Sequence, residues 1–168
     1  DWPYSIAAIA YEPLRQMLAA GRAEGLSFTV ASAYRSTDSQ RQLFDEDVEA
    51  RVSEGMTEDE AREETARWTM PPGCSEHETG LAIDLARAAR NIDFIRPHLP
   101  YDGACGRFRA LAAKYGFIQR YRAEKTAVTG IACEPWHFRY VGAPHAQLIE
   151  QNGLCLEEYA AFLREMGP

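Results

Sequence analysis

No stretch of about 18 consecutive apolar residues occurs in the 168-residue chain, so no membrane-spanning helix is expected inside it. No signal-peptide pattern is present, and the sequence opens at Asp1 without a methionine. Membrane attachment is therefore expected only through an anchor upstream of residue 1. Positive charge is in short supply. The net charge of −7 argues against a nucleic acid partner, since binding phosphates needs a basic surface. A GxSxG elbow is absent, as are GxGxxG and P-loop motifs, which removes support for a serine hydrolase of that type and for the common nucleotide-binding loops. The four cysteines, Cys74, Cys105, Cys133 and Cys155, form no CxxC pair, which speaks against a zinc knuckle or a thioredoxin-type motif. Their pairing stays open, free buried thiols included, and so does the redox compartment. No repeat, low-complexity tract or Pro/Gly linker divides the chain. Its length suits one catalytic domain over residues 1–168, and a monomer is expected.

What is present is ordinary for a globular protein: 46% apolar and 26% charged residues. A first helix is expected from about Glu12 to Ala23, with Pro13 in its first turn, Gly25 at its exit and Leu14, Met17 and Leu18 on its apolar face. FTVASAYR (28–35) reads as a strand. Thr37 with Gln40, and Thr57 with Glu60, have capping-box spacing and announce two acidic helices. These form a helical insertion at about 40–70, expected to be a solvated lobe that ends at MPPG (70–73). Strands follow at GLAIDLA (80–86), FIQRY (117–121) and WHFRYV (136–141). Helices are expected at 107–116, 143–151 and 156–165. This order predicts an α+β fold, a small central antiparallel sheet surrounded by helices.

Two short segments carry the candidate chemistry. In CSEHETGLAIDL (74–85), strand alternation puts Asp84 on one face with Ala82 and Gly80, opposite Leu81, Ile83 and Leu85. His77 lies just before that strand. In EPWH (134–137), Pro135 pushes Glu134 toward extended backbone. His137 then shares a face with Arg139, while Trp136, Phe138 and Tyr140 share the other. Two histidines and one carboxylate make a common catalytic zinc set that keeps a fourth position for water. A nearby carboxylate such as Glu134 suits proton transfer. The bland alternatives are a hydrogen-bonded structural histidine, the reading adopted for His98 and His145, and an Asp84 that caps a turn or pairs with Arg87. Cys74 near His77 has nothing beside it to activate a thiol.

SEHETGLAID and EPWHFRYVG resemble the SxHxxGxAxD and ExWH signatures of the VanY-type D-alanyl-D-alanine carboxypeptidases, which are grouped with VanX dipeptidases and lysostaphin-like zinc peptidases. YRSTDSQ (34–40) matches a third family element, YRSxxxQ, and the resemblance runs over roughly residues 11 to 160. It implies a Zn2+ ion on His77, Asp84 and His137, with Glu134 as catalytic base. Arg35 would hold substrate or a developing oxyanion, and Ser75, Gln40 and Trp136 would shape the substrate pocket. Tyr34 and Arg139 are read as supporting residues. Gln40 could instead belong to the capping box and Ser75 to a turn. The chain departs from the family pattern at Arg122, where proline is usual, and at Cys74 and Cys133, which flank the motifs and could brace the site as a disulfide.

The implied activity is removal of the terminal D-alanine from a peptidoglycan stem peptide ending in D-Ala-D-Ala, at an extracytoplasmic site. The rivals are an L,D-carboxypeptidase, a D,D-dipeptidase or an endolysin-type endopeptidase on the same scaffold, and a non-catalytic cell-wall-binding module. A binding module has no need of Glu134.

Overall fold

Asp84 and His137 stand directly opposite each other on neighbouring antiparallel strands, and the rest of the fold holds them there. The computed structural model describes residues 4–87 and 103–167. Its strands are β1 (Phe28–Ser32), β2 (Ala82–Arg87), β3 (Phe117–Tyr121) and β4 (Glu134–Tyr140). They form one antiparallel sheet in the order β1-β2-β4-β3, so β2 and β4 lie at its centre. The helices are α1 (Ala8–Ala23), α2 (Thr37–Ser53), α3 (Glu58–Thr65), α4 (Gly103–Lys114), the short α5 (Thr126–Thr129), α6 (Ala143–Gln151) and α7 (Leu156–Met166). No helix among the described residues is long and apolar enough to cross a membrane.

Strand alternation decides which face of the sheet becomes core. Ile83 and Leu85 of β2, Phe138 of β4 and Phe117 of β3 pack against Leu14, Met17 and Leu18 of α1 and Phe108 and Leu111 of α4. Burial of several such side chains contributes about 1.5–3 kcal/mol each relative to exposure. A second cluster, Ala113, Ile118, Ala146, Ile149 and Tyr159, brings α6 and α7 around the β3 edge. Asp84 and His137 project from the other face of the central strands.

The α+β expectation holds, and β3 falls on the expected residues. Two local readings are corrected. Helix α1 begins at Ala8, so Pro13 lies inside it rather than in the first turn. The backbone ahead of Pro13 is anchored by the Ala7 N–H, which donates to the Gly80 carbonyl at 2.8 Å, and this supports the extra turn. The cap of α2 is Ser36, whose hydroxyl accepts from the Ser39 N–H at 3.2 Å. Thr37 is already helical, and Gln40 points inward. The capping box of α3, Thr57 with Glu60, forms as expected.

Helices α2 and α3 pack on each other through Phe44, Val48 and Ala61, with their acidic side chains outward. The return from this lobe passes the site face of the sheet, so Trp68, Thr69 and Met70 become part of a cleft wall. His145 is the hydrogen-bonded structural histidine expected, its Nδ1 2.8 Å from the Tyr159 hydroxyl. His98 lies outside the described residues. Cys74 sits exposed on a turn with a free thiol, so the bracing bridge to Cys133 is not made.

Candidate metal and active site

His77 is carried on a 3-10 turn, Glu76–Thr79, capped by Ser75 and closed by Gly80. Gly80 has φ 69°, a left-handed conformation that side chains with a Cβ rarely adopt, and it turns the chain directly into β2. The Nδ1 of His77 lies 2.6 Å from the Ala33 carbonyl. A carbonyl can only accept, so Nδ1 carries the proton and the lone pair of Nε2 faces the cleft. That Nε2 is 3.2 Å from Asp84 Oδ2.

The other oxygen of Asp84, Oδ1, is 3.0 Å from His137 Nδ1. The β2–β4 register makes this contact, since paired residues on adjacent strands hold their side chains side by side. His137 Nε2 faces Glu76 Oε2 at 3.2 Å. All three groups are buried, and Asp84 is only 3% exposed. Their ligating atoms lie within 4.8 Å of one another. The donor set is two imidazole nitrogens and one carboxylate. A tetrahedral ion with bonds of about 2.0–2.1 Å separates its ligands by about 3.3 Å. Each imidazole stands close to that spacing from the nearer oxygen of Asp84, at 3.0 and 3.2 Å, so the three residues could hold one ion.

Glu134 reaches the same space by a distortion of β4. A step of two positions along β3, from Gln119 to Tyr121, is matched by a step of four along β4, from Phe138 to Glu134. In a regular strand, positions three apart face opposite sides. The bulge rotates Glu134 round to the side of His137, with Glu134 Oε2 3.9 Å from His137 Nδ1. Glu134 thus borders the three-residue cluster without entering it.

Arg35 lines the same cleft. Its Nη1 donates to Gln40 Oε1 at 2.8 Å and its Nη2 to the Ser32 hydroxyl at 3.3 Å. Gln40 in turn donates Nε2 to the Met70 carbonyl at 2.6 Å. Gln40 is 1% exposed, and its visible work is to fix the guanidinium and tie it to the lobe's return segment. Burial pulls the Arg35 pKa below its ordinary value, opposed by the charges of Asp84, Glu134 and Glu78. Ser75 and Trp136 also line the cleft, which encloses about 560 Å³ with its open mouth included. Ser75 caps the turn before His77, while Trp136 packs partly against the core.

Sequence reasoning passed over Glu76 and Tyr121. Tyr121 is buried with its ring centre 5.0 Å from that of His137. Its pKa is pushed up by burial and by the charges of Glu76 and Glu134. Burial alone would raise the Glu76 pKa, but the His137 hydrogen bond and the charges of His137, Arg120 and Arg139 outweigh it and hold it at about 2. Asp84 is held well below the carboxylate range in the same way, with His77 and His137 overcoming the effect of burial. For His137, burial alone would lower the pKa, yet hydrogen bonds to Asp84 and Glu76 push it up to about 10.

The metal-free protein consequently holds an imidazolium between two carboxylates. The stabilisation from a raised pKa is complete below the ordinary histidine value of about 6.5 and disappears as pH rises through the folded value. Asp84 and Glu76 are ionised throughout that window and contribute no further slope. In chelator, the thermal midpoint is expected to fall steadily between about pH 6.5 and pH 10. A midpoint that is flat or rises across that window would contradict this assignment of charge.

A family model described as VanY, D-alanyl-D-alanine carboxypeptidase, matches residues 4–143. A D-alanyl-D-alanine carboxypeptidase of Enterococcus faecalis is 40% identical over 146 residues, covering 87% of this chain and 52% of its own length. The chain therefore spans about half the length of that curated relative. The solved structure of VanYB in complex with D-alanine-D-alanine superposes with a TM-score of 0.82 at 36% identity, covering 93% of this chain and 82% of that one. A VanY D,D-pentapeptidase variant from a VanB-type vancomycin resistance cassette, in complex with Zn(II), gives a TM-score of 0.80 at 36% identity over 92% of this chain and 83% of that one.

Proposed function

This chain belongs to the VanY family of D-alanyl-D-alanine carboxypeptidases, and from that premise we propose that it is a zinc-dependent D,D-carboxypeptidase that removes the terminal D-alanine from peptidoglycan stem peptides. The observation that carries the reading is the buried His77–Asp84–His137 cluster with Glu134 beside it and Arg35 in the same cleft. His77 Nε2, the Asp84 carboxylate and His137 Nδ1 would hold the ion. When bound, zinc supplies Lewis acidity, which polarises the scissile carbonyl and eases deprotonation of the attacking water.

The protein's own groups supply the rest. Glu134 takes a proton from the water as its oxygen adds to the carbonyl carbon. It returns that proton to the nitrogen as the C–N bond breaks, so D-alanine leaves as the amine and the shortened stem keeps the new carboxylate. Arg35, fixed by Gln40 and Ser32, presents a planar fork of donors to negative charge. It binds the terminal carboxylate or the developing oxyanion, and Ser75 lies across the same cleft. Trp68, Met70 and Trp136 line the same cleft and offer apolar surface for the alanine methyls. The presence of Glu134 beside the cluster favours catalysis over a binding module. A peptidoglycan substrate supports an extracytoplasmic site of action.

Glu134→Gln is expected to keep the fold and bound zinc and lose turnover by about 10²–10⁴-fold, since the amide cannot accept the proton. A variant with wild-type kcat would assign the proton transfer elsewhere. A stem pentapeptide ending in D-Ala-D-Ala is expected to release single D-alanine, identified by mass, whereas the same peptide amidated at its C-terminus is cut poorly because charge-assisted contacts to the carboxylate are lost. Equal cleavage of both, release of a dipeptide, or cleavage at an internal bond would overturn the carboxypeptidase reading.

A further inference from the structure

Glu76 sits where three cationic or donor groups converge. One oxygen, Oε2, is 3.2 Å from His137 Nε2. The other, Oε1, is 2.9 Å from Arg120 Nε and 3.5 Å from Arg139 Nη1. A carboxylate this enclosed needs paired charge to offset its desolvation, and the two arginines provide it. Arg120 is buried and extends the contact outward. Its Nη2 and Nη1 meet the two oxygens of Glu157, in the first turn of α7, at 2.6 and 3.1 Å. The same guanidinium lies 4.7 Å over the Tyr121 ring, and that ring lies against the imidazole of His137. His137 is therefore gripped twice from Arg120, through a carboxylate at its Nε2 and through an aromatic ring alongside.

We infer that Glu76 is a positioning residue that fixes the orientation and tautomer of His137, and that Arg120 and Glu157 extend this hold to α7. The inference rests on the reading of His77, Asp84 and His137 as a metal site. With Nε2–H donated to Glu76, the proton that His137 would give up to a metal is the one on Nδ1, which leaves the lone pair on the nitrogen that faces Asp84. An imidazole whose remote nitrogen is held by a carboxylate is a stronger and better aimed ligand, and loss of such a partner typically weakens metal binding about 10–100-fold. The position of Glu76 in sequence supports the assignment. It is the residue before His77 on one 3-10 turn, so the turn that delivers one histidine also orients the other.

The competing role is purely mechanical: the Glu76–Arg120–Glu157 chain would bolt α7 to the sheet and nothing more. The structure offers a control, because Lys125 also ties down α7, through Glu158 at 2.8 and 3.0 Å, and neither of these residues hydrogen-bonds or pairs with His137. The experiment measures zinc affinity of the stripped full chain by competition with a chromophoric chelator, beside the absorption spectrum of the cobalt-loaded protein and the thermal midpoint in chelator. Wild type, Glu76→Gln, Glu157→Gln and Lys125→Ala are compared. Glu76→Gln is expected to weaken zinc binding about 10–100-fold and to shift the cobalt bands. Glu157→Gln should change both in the same direction by a smaller factor. Lys125→Ala should lower the thermal midpoint while keeping wild-type zinc affinity and spectrum. Wild-type affinity in Glu76→Gln would overturn the inference. So would a loss in Lys125→Ala as large as that in Glu76→Gln, which would make the network mechanical. A wild-type chain that binds no zinc would instead overturn the metal-site reading itself, and these arms keep the two failures apart.

Discussion

The carboxylate of Asp84, buried between two imidazoles, is the constraint on which the site depends. An isolated anion in that place would cost several kcal/mol. It is tolerated because the His137 imidazolium donates to one of its oxygens at 3.0 Å, while the other faces His77 Nε2 at 3.2 Å, the two atoms a bound cation would share. Those contacts exist only in one strand register. The pairing of Asp84 with His137 is enforced from the opposite face, where Ile83, Leu85 and Phe138 lock β2 and β4 onto α1 and α4. A slip of one residue would turn Asp84 into the core and Ile83 and Leu85 out to the cleft. The hydrophobic core thus specifies a polar site that it does not touch.

Two irregularities convert this register into a working geometry. The Gly80 turn ends the 3-10 segment so that His77 faces back toward the strand it precedes. The bulge in β4 brings Glu134 to the side of His137, its Oε2 3.9 Å from His137 Nδ1 and beside the three-residue cluster rather than within it. Opposite them, Arg35 is held by Gln40, and Gln40 by the backbone at Met70. The acidic lobe is coupled to the cleft through that hydrogen bond and through Thr69, whose hydroxyl donates to Asp47 Oδ2 at 2.6 Å. Its charged faces are solvated, yet its return segment forms a wall of the cleft.

How much of this was legible in the sequence followed the range of the interaction concerned. The strand FIQRY is bounded by Gly116 and read correctly end to end. The grouping of His77, Asp84 and His137 was legible because SxHxxGxAxD and ExWH are local patterns with the histidines and carboxylate in fixed places. The start of α1 was not, since it depends on a tertiary contact from Ala7 to Gly80. The α2 cap was misread because SerThrAspSerGln offers two overlapping choices, and the burial of Gln40 against Arg35 decides between them. Glu76 was invisible for a related reason. Its partners Arg120 and His137 lie 44 and 61 residues away in sequence, and no local pattern announces them.

The proposed activity requires three side chains to act as one metal site, and zinc-edge anomalous diffraction from crystals of the zinc-loaded chain addresses that directly. It predicts one strong peak at about 2.0–2.2 Å from His77 Nε2, from the Asp84 carboxylate and from His137 Nδ1. Stoichiometric zinc located elsewhere, or ligation of His137 through Nε2, would contradict it.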